Sequence, residues 1–277
     1  MCMQTLRRYQ TPWLVVIFCT TLALAACSDP IQFSPFDAKV LTSETALTEK
    51  NLKKLALNHN SSDFMPFRFI VTADTHSFYD DLKDAVAHMN LQNQIDFVAV
   101  AGDLTDSSLI KEFRWTNDIL GGLTHPYITA IGNHDAIANG QQIYQRMFGA
   151  LDYVFVHKQV KFIVLNTNSW EFDDQVPDLD WLADQLKDHQ RYQHTIVISH
   201  IGPYDERFVN NIEHSFRELL AKHNVSLYIH GHQHNFLYAV DRYEDGVDYL
   251  INGGVSKRTY TIVEVTAEEL TVEVVPF

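Results

Sequence analysis

From Phe67 onward, short apolar runs alternate with amphipathic stretches, and this alternation limits the fold more than any other feature of the chain. The first apolar runs have the β-branched content and length of buried strands, and they are Phe69–Ala73, Asp96–Ala101 and Tyr127–Ile131. The stretches between them, Asp81–Leu91 and Leu109–Leu120, have helical spacing. Further strands fill the tail from Phe236 to Val275. The pattern predicts an α/β fold of stacked helix and sheet layers, with antiparallel strands added near the C-terminus.

Polar motifs follow five of the predicted strands at the point where each strand ends. In chain order they are Asp74-Thr-His76, Gly102-Asp103, Gly132-Asn133-His134-Asp135, His200-Ile-Gly-Pro203 and Gly231-His232-Gln-His234. Ligands of open α/β sheets collect beyond the carboxyl ends of the strands, so we expect these side chains to meet in one crevice. Each motif alone is a weak signal, because Asp-x-His and His-x-His are common. The ordered set, with every member at a strand end, is specific.

This ordered set resembles that of the calcineurin-like metallophosphoesterases, a family of dinuclear metal hydrolases. The similarity runs from about Phe67 to Ser256, and no core motif is missing. The resemblance implies a four-layer α/β/β/α sandwich of mixed sheets flanked by helices. It also implies the ligands of two ions: Asp74, His76 and His234 for the first, Asn133, His200 and His232 for the second, with Asp103 bridging both.

The chemistry of these side chains agrees with that assignment. A carboxylate has two oxygens with which to bridge a pair of divalent ions, and neutral imidazole and amide ligands add little negative charge to repel a phosphate. Water bridging two such ions becomes acidic enough to supply an attacking hydroxide. The expected reaction is therefore hydrolysis of a small phosphate mono- or diester. A mixed nitrogen and oxygen shell suits Mn, Fe, Zn, Co or Ni, and the sequence does not choose among them.

The resemblance also suggests residues that act without binding metal. His134 corresponds to the family histidine that faces the scissile phosphate, as an acid toward the leaving oxygen or as a stabiliser of the transition state. Asp135 is expected to orient His134 through a hydrogen bond. Asp106 is expected to cap the next helix or to accept a hydrogen bond beside the ligands. Some purple acid phosphatases have a metal-binding Tyr at that position, so Asp106 favours a divalent pair over a tyrosinate-bound ferric ion.

Loops near the predicted site contain four aromatic residues, Trp170, Phe172, Tyr204 and Phe208. Such rings can stack on a nucleobase or an aryl leaving group, or can simply pack at the rim, and the sequence favours rim packing slightly. The net charge of −14 argues against a nucleic-acid polymer as partner, because the protein would repel a polyanion. A small anionic ester is compatible with that charge, since bound cations reverse the local field.

The N-terminal segment predicts export rather than a folded element. Arg7 and Arg8 precede an apolar run from Trp13 to Ala26, too short to span a bilayer comfortably and typical of a secretory signal. The ending Leu24-Ala25-Ala26-Cys27 resembles a bacterial lipoprotein box, which implies acylation of Cys27 and attachment to a membrane. The alternatives are an ordinary signal cleaved after Ala26 and a short anchor that is never removed.

These observations predict a signal peptide at 1–26, a lipid-attached tether with a possible helix (43–57) at 27–63, and a metallophosphoesterase domain at 64–277. Ser28 after the acylated Cys favours the outer membrane, on the periplasmic side of the cell envelope. The other two Cys lie within the predicted signal, so no disulfide is expected in the mature chain. A second functional hypothesis is a catalytically silent lipoprotein that uses the same fold to bind a ligand or partner. Its signature would be a lost metal ligand or a lost His134, and the sequence has neither.

Overall fold

The computed structural model describes residues 34–58, 63–208 and 212–277. The predicted signal segment and Cys27 lie outside the described residues. The chain divides into two compact units, Met1–Asp37 and Ala38–Phe277, and the second contains every helix and strand given below. Within the described residues, no helix has both the length and the apolar character needed to cross a membrane.

The described elements follow the alternation expected from the sequence. The helices are α1 (Leu47–Asn58), α2 (Tyr79–Met89), α3 (Ile110–Leu120), α4 (Gly140–Met147), α5 (Leu179–Leu186) and α6 (Glu213–Lys222). The first strands are β1 (Phe67–Thr72), β2 (Ile95–Ala101), β3 (Tyr127–Ala130), β4 (Tyr153–His157), β5 (Val160–Val164) and β6 (His194–Ile198). The last strands are β7 (Leu227–His230), β8 (Leu237–Ala239), β9 (Asp248–Ile251), β10 (Thr259–Val265) and β11 (Leu270–Pro276).

These strands form two mixed sheets. The first has the order β11-β10-β1-β2-β3, in which β1, β2 and β3 are parallel and β10 runs antiparallel to β1. The second has the order β4-β5-β6-β7-β9-β8, with β5, β6, β7 and β9 parallel and antiparallel strands at both edges. Parallel strands bring their carboxyl ends to one side of a sheet, so the polar motifs after β1, β2, β3, β6 and β7 are placed to meet.

Three apolar layers hold the sheets and helices together. The middle layer packs one sheet on the other, with Phe69 stacked on Phe97 at 5.0 Å between ring centroids and edge-on to Phe162 at 5.5 Å. Each such buried ring contributes about 2 kcal/mol through removal of apolar surface from water. The outer layers pack helices α2, α3 and α4 against the first sheet and helices α5 and α6 against the second. The predicted four-layer α/β/β/α fold is therefore confirmed.

Helix α1 occupies the stretch in which the sequence suggested a helix, and it packs on the domain. Leu55 is buried in the middle apolar layer. Asn51 is also buried, and its side-chain oxygen accepts a hydrogen bond from the backbone N–H of Tyr127 in β3 at 3.2 Å. In agreement with these contacts, the compact unit Ala38–Phe277 includes α1.

Candidate metal centre

Asp103, directly after β2, lies at the centre of the predicted site. Its carboxylate is buried, with Oδ2 3.1 Å from His200 Nε2 and 3.5 Å from His76 Nε2. Burial opposes ionisation of Asp103, but the imidazoles of His200, His76 and His134 together outweigh burial and hold the pKa of the carboxyl well below its usual range. The pairing with Asp103 raises the pKa of His200 to about 9, although burial alone would lower it.

Two groups of potential metal ligands share this carboxylate. One comprises Asp74, His76, Asp103 and His234, and the other comprises Asp103, His200 and His232. Within each group, the potential ligand atoms lie within 4.8 Å of one another. Asn133 joins the second group through its side-chain oxygen, which is 3.1 Å from His200 Nε2. The structure therefore brings together all seven residues that the sequence suggested as ligands, in two groups that meet at Asp103.

The polar atoms of the first group have the pattern of a cation site. The Nε2 atoms of His76 and His234 face each other at 3.3 Å, and His234 Nε2 is 3.4 Å from Asp74 Oδ1. Among the described residues, no hydrogen bond reaches the buried Asp103 Oδ2, which faces the Nε2 atom of His76. Converging nitrogen and carboxylate atoms with unused acceptor capacity are what a divalent ion satisfies, so these residues fit the metal that the fold implies.

Most of the seven residues adopt a backbone conformation that residues other than glycine rarely adopt. Five have φ in the left-handed region, and they are Asp74, His76, Asp103, His232 and His234. Left-handed backbone at such residues costs about 1 kcal/mol or more each, and it persists where the surroundings enforce it. These turns end the extended path of the strands at the positions where the side chains of the two groups converge. Five of the seven candidate ligands therefore have strained backbone.

Gly102 and Gly132 permit the close approach of the strand ends. Gly102 has φ +91°, and a Cβ there would collide with the ring of His200. A Cβ at Gly132 would collide with the backbone and carboxylate of Asp103. The glycines before Asp103 and Asn133 therefore leave room for the ligands themselves.

His134 lies beside both ligand groups. Its backbone N–H donates to Asp103 Oδ1 at 2.9 Å, and its ring packs edge-on to that of His76 with centroids 4.7 Å apart. Its Nδ1 is 2.8 Å from the backbone carbonyl oxygen of Asp106. Because a carbonyl only accepts, Nδ1 carries a hydrogen and Nε2 is left to interact with a substrate.

Asp135 was expected to orient His134 through a hydrogen bond to its ring, and this expectation was wrong. The carboxylate is buried and accepts hydrogen bonds from the backbone N–H groups of Gly132, Leu104 and Thr105 at 2.9–3.1 Å, and from the Thr105 hydroxyl at 2.9 Å. Burial and the charge of Asp103 raise its pKa to about 7 despite these bonds. Asp135 clamps the loops after β2 and β3 together, and the carbonyl of Asp106 takes the His134 ring hydrogen bond that was assigned to Asp135.

Asp106 does not cap helix α3. The acceptor at the start of that helix is Glu112, whose carboxylate takes hydrogen bonds from the backbone N–H groups of Ser107 and Leu109 at 3.0 Å. The carboxylate of Asp106 instead lies 3.7 Å from His76 Nδ1, on the side of the ring away from the other ligands. Asp106 thus lies beside the candidate ligands, as its second expected role requires, but at 3.7 Å its carboxylate is too far from His76 Nδ1 for a hydrogen bond.

The four loop aromatics divide into a packed pair and an exposed pair. Phe208 is buried against Phe216, and Phe172 is partly buried against the apolar layer that joins the helices to the first sheet. Trp170 and Tyr204 are 54% and 48% exposed. Arginine guanidinium groups cover one face of each exposed ring at about 5 Å, Arg207 on Trp170 and Arg217 on Tyr204. Two of the four are therefore packing residues, and two remain accessible to solvent.

Comparisons with known proteins agree with this architecture. The purple acid phosphatase PPD1 from yellow lupin (Lupinus luteus) seeds superposes with a TM-score of 0.61 at 13% identity, over 77% of this chain and 52% of the lupin chain. GAP50, the anchor in the inner membrane complex of Plasmodium, superposes with a TM-score of 0.59 at 16% identity, over 76% of this chain and 84% of its own. The 5′-nucleotidase from Candida albicans gives 0.54 at 15% identity, over 77% and 52%.

At these identities the likeness shows the fold, and this chain spans about half the length of the lupin and Candida proteins. A comparison with curated protein sequences found no match. The sequence profile of the calcineurin-like phosphoesterases matches residues 67–236, which include every residue of the two ligand groups. Because this match covers more than half of the chain, the protein belongs to the calcineurin-like phosphoesterase family.

Proposed function

We propose that this protein hydrolyses small phosphate mono- or diesters with two divalent metal ions. The observation that carries the proposal is the pair of His/Asp groups that share the buried carboxylate of Asp103. One ion would be held by Asp74, His76 and His234, the other by Asn133, His200 and His232, with Asp103 common to both. When bound, such ions supply an acidified water as nucleophile and positive charge beside the phosphoryl oxygens.

The protein's own contribution begins with the orientation of the ligands. The carbonyl of Ala101 lies 2.8 Å from His200 Nδ1, which therefore carries a hydrogen, so Nε2 is the atom that would bind a metal in the neutral ring. The carboxylate of Asp74 accepts the backbone N–H of His232 at 3.1 Å and so ties the loop after β7 to the end of β1. These bonds position the ligands before a substrate arrives, which lowers the reorganisation that the reaction requires.

His134 is the residue that we propose for proton transfer. Its Nδ1 is committed to the Asp106 carbonyl, so Nε2 is the atom that takes up a proton and, once protonated, can give it to the leaving oxygen or hydrogen-bond the phosphoryl group. A phosphate ester bound beside Asp103 would be adjacent to this ring, because the His134 N–H donates to Asp103 Oδ1. Positioned acids of this kind contribute about 10²–10⁴-fold to rate.

The proposed location is the bacterial cell envelope, on the periplasmic side, with Cys27 acylated and the outer membrane favoured. The support is the Leu24-Ala25-Ala26-Cys27 sequence alone. A Cys27→Ser substitution should release the protein from the membrane fraction and abolish labelling by a radioactive fatty acid. Retention of the label in that variant would contradict acylation at Cys27.

The test of activity uses the full-length protein purified in detergent, stripped of metal and reloaded in turn with Mn, Zn, Fe, Co and Ni. Hydrolysis of p-nitrophenyl phosphate is compared with hydrolysis of bis-p-nitrophenyl phosphate. We expect metal-dependent turnover of at least one ester, and the preferred one identifies the substrate class. Protein that binds the ions and turns over neither ester would overturn the proposal and favour the catalytically silent alternative. That alternative has no support from the candidate ligands, because none of them is substituted.

A further inference from the structure

Asp205 faces the Nε2 atom of His232. Its Oδ1 is 3.6 Å from His232 Nε2, and both side chains are largely shielded from solvent, at 15% and 17% exposure. One nitrogen of His232 thus faces a carboxylate, while the ring also borders Asp103 and His200. A ring with Nε2 directed at an acceptor has Nδ1 left for the other ligands.

The loop that carries Asp205 is anchored at both ends. Before it, the N–H of Ile201 donates to the Thr167 hydroxyl at 2.9 Å. After it, Phe208 is buried in the outer apolar layer of the second sheet. Asp205 Oδ1 also accepts the backbone N–H of Arg207 at 3.0 Å, which closes a turn within the loop. The carboxylate is therefore held in place rather than free to follow solvent.

Arg207 secures the same loop from outside. Its guanidinium is 3.4 Å from the carboxylate of Glu171 and lies over the ring of Trp170 at 5.1 Å. Glu171 is in turn fixed through its backbone carbonyl, which accepts from the side-chain amide of Gln141 at 2.8 Å. These contacts join the loop after β6 to the segment 169–175 beside the site.

We infer that Asp205 is a positioning residue for His232, which accepts its Nε2 hydrogen and makes Nδ1 the metal-binding atom. This inference rests on the proposed function. A carboxylate behind a metal-bound histidine sets the tautomer, fixes the ring orientation and raises the basicity of the ligating nitrogen. No motif contains Asp205, and it is tied to His232 only by the fold. Loss of such a partner typically lowers metal affinity by about 10–100-fold.

The competing role is that Asp205 merely closes its own turn through the Arg207 N–H, and two substitutions separate the roles. Asp205→Asn keeps a side-chain oxygen for that N–H, because Asn and Asp form the same kind of turn, but it removes the charge that makes His232 a better ligand. Asp205→Ala removes both. Glu206→Gln is the matched control, since it removes one negative charge from an exposed neighbour in the same loop.

The experiment titrates the metal-stripped full-length protein with Mn²⁺ and measures free Mn²⁺ by electron paramagnetic resonance. We expect wild type and Glu206→Gln to bind two ions alike. In Asp205→Asn the affinity for one ion should fall about 10-fold and in Asp205→Ala about 100-fold, while the other ion stays as in wild type. Circular dichroism of each variant checks that the fold is kept.

Each other result overturns the inference. Wild-type affinity in both Asp205 variants removes Asp205 from the metal centre. A loss of Mn²⁺ affinity in Asp205→Ala with full affinity in Asp205→Asn would mean that Asp205 only closes its turn. An equal loss of Mn²⁺ affinity in Glu206→Gln would mean that the effect comes from the overall negative charge of the loop. Wild-type protein that binds no Mn²⁺ at all would overturn the proposed metal centre together with this inference, whereas the first three results leave the proposed function standing.

Discussion

Asp96 and Asp103 stand at opposite ends of the same strand, β2, and their surroundings differ in kind. Asp96 Oδ2 is 2.7 Å from His157 Nε2 and 2.7 Å from Lys158 Nζ, and the three side chains are at least 90% buried. Asp103 is as deeply buried, but the side-chain nitrogens nearest to its Oδ2 are 3.1 and 3.5 Å away and belong to His200 and His76, the second of which also faces Asp106. Asp96 has an extended backbone, whereas Asp103 has φ +54°.

The difference separates a structural carboxylate from a functional one. At Asp96 a permanent cation and an imidazole supply short hydrogen bonds, so the buried charge is compensated by the protein itself. At Asp103 the histidines are compensating charges only when protonated, and Oδ2 has no hydrogen bond from the described residues. A protein tolerates such a site where a ligand completes it. Substitution of Asp103 should therefore lower metal binding and turnover, whereas substitution of Asp96 should lower stability and leave activity unchanged.

The largest effect is expected for Asp103→Asn. The amide cannot bridge two cations as a carboxylate does, so at least one ion per chain should be lost and turnover should fall by more than the roughly 10–100-fold typical of outer-shell changes. Elemental analysis gives the metal content, and hydrolysis of the preferred p-nitrophenyl ester gives the activity. The control is Asp96→Asn, which should keep both ions and wild-type kcat. Two ions and full activity in Asp103→Asn would contradict the bridging role.

A smaller effect is expected for His134→Ala, which tests a residue beside Asp103 that does not bind metal in our proposal. Both ions should remain, while kcat should fall by about 10²-fold or more because a positioned proton donor is lost. Metal analysis and steady-state kinetics on the same preparation separate the two roles. Loss of an ion would make His134 a ligand, and unchanged kcat would remove it from the mechanism.

The smallest effect on activity, and the largest on stability, is expected at Asp96. Asp96→Asn should lower the free energy of unfolding by about 2 kcal/mol at pH 7, because His157 and Lys158 lose their charged partner. Burial alone would raise the pKa of Asp96, but the hydrogen bonds from His157 and Lys158 outweigh it and lower the pKa below its ordinary value of 3.8. Urea unfolding of wild type and variant measures the difference.

The sign of the pH dependence follows from that lowered pKa. The contribution of Asp96 is fully present above pH 3.8 and is lost as the pH falls through the lower folded-state value. The stability gap between wild type and Asp96→Asn should accordingly be constant from pH 7 to 5 and shrink below pH 4. Asp184→Asn, at an exposed ion pair with Lys187, serves as the control and should show little effect at any pH. A gap that grows on acidification would refute the assignment.

Local patterns in the sequence predicted much of the fold. The strands β1, β2 and β3 were predicted within a residue or two, because apolar periodicity acts between near neighbours. The turn between β4 and β5 is equally local, since Lys158 and Gln159 have positive φ, at 48° and 64°, as a tight hairpin requires. The candidate ligands were brought together for the same reason, since each lies just after a strand and parallel strands end together.

Other features of the site depend on contacts between distant segments. The Asp135 carboxylate turned to the loop after β2, and no spacing in the sequence indicates that these N–H groups are its partners. Asp205 is 27 residues from His232 and belongs to no motif. No sequence pattern indicates the contacts of either residue. An acidic residue in a loop after a strand that carries a candidate ligand is nevertheless a reasonable candidate for such a contact.

The sequence by itself therefore determined which residue types reach the carboxyl ends of the strands, and hence the ligands, because strand periodicity and chain order are local properties. Only the tertiary structure decided how those residues are oriented: the left-handed turns at Asp74 and Asp103, the carbonyl that sets the His134 tautomer, and the carboxylate behind His232. Orientation is decided by hydrogen bonds and packing across two sheets, and these exist only once segments far apart in the chain have been brought together.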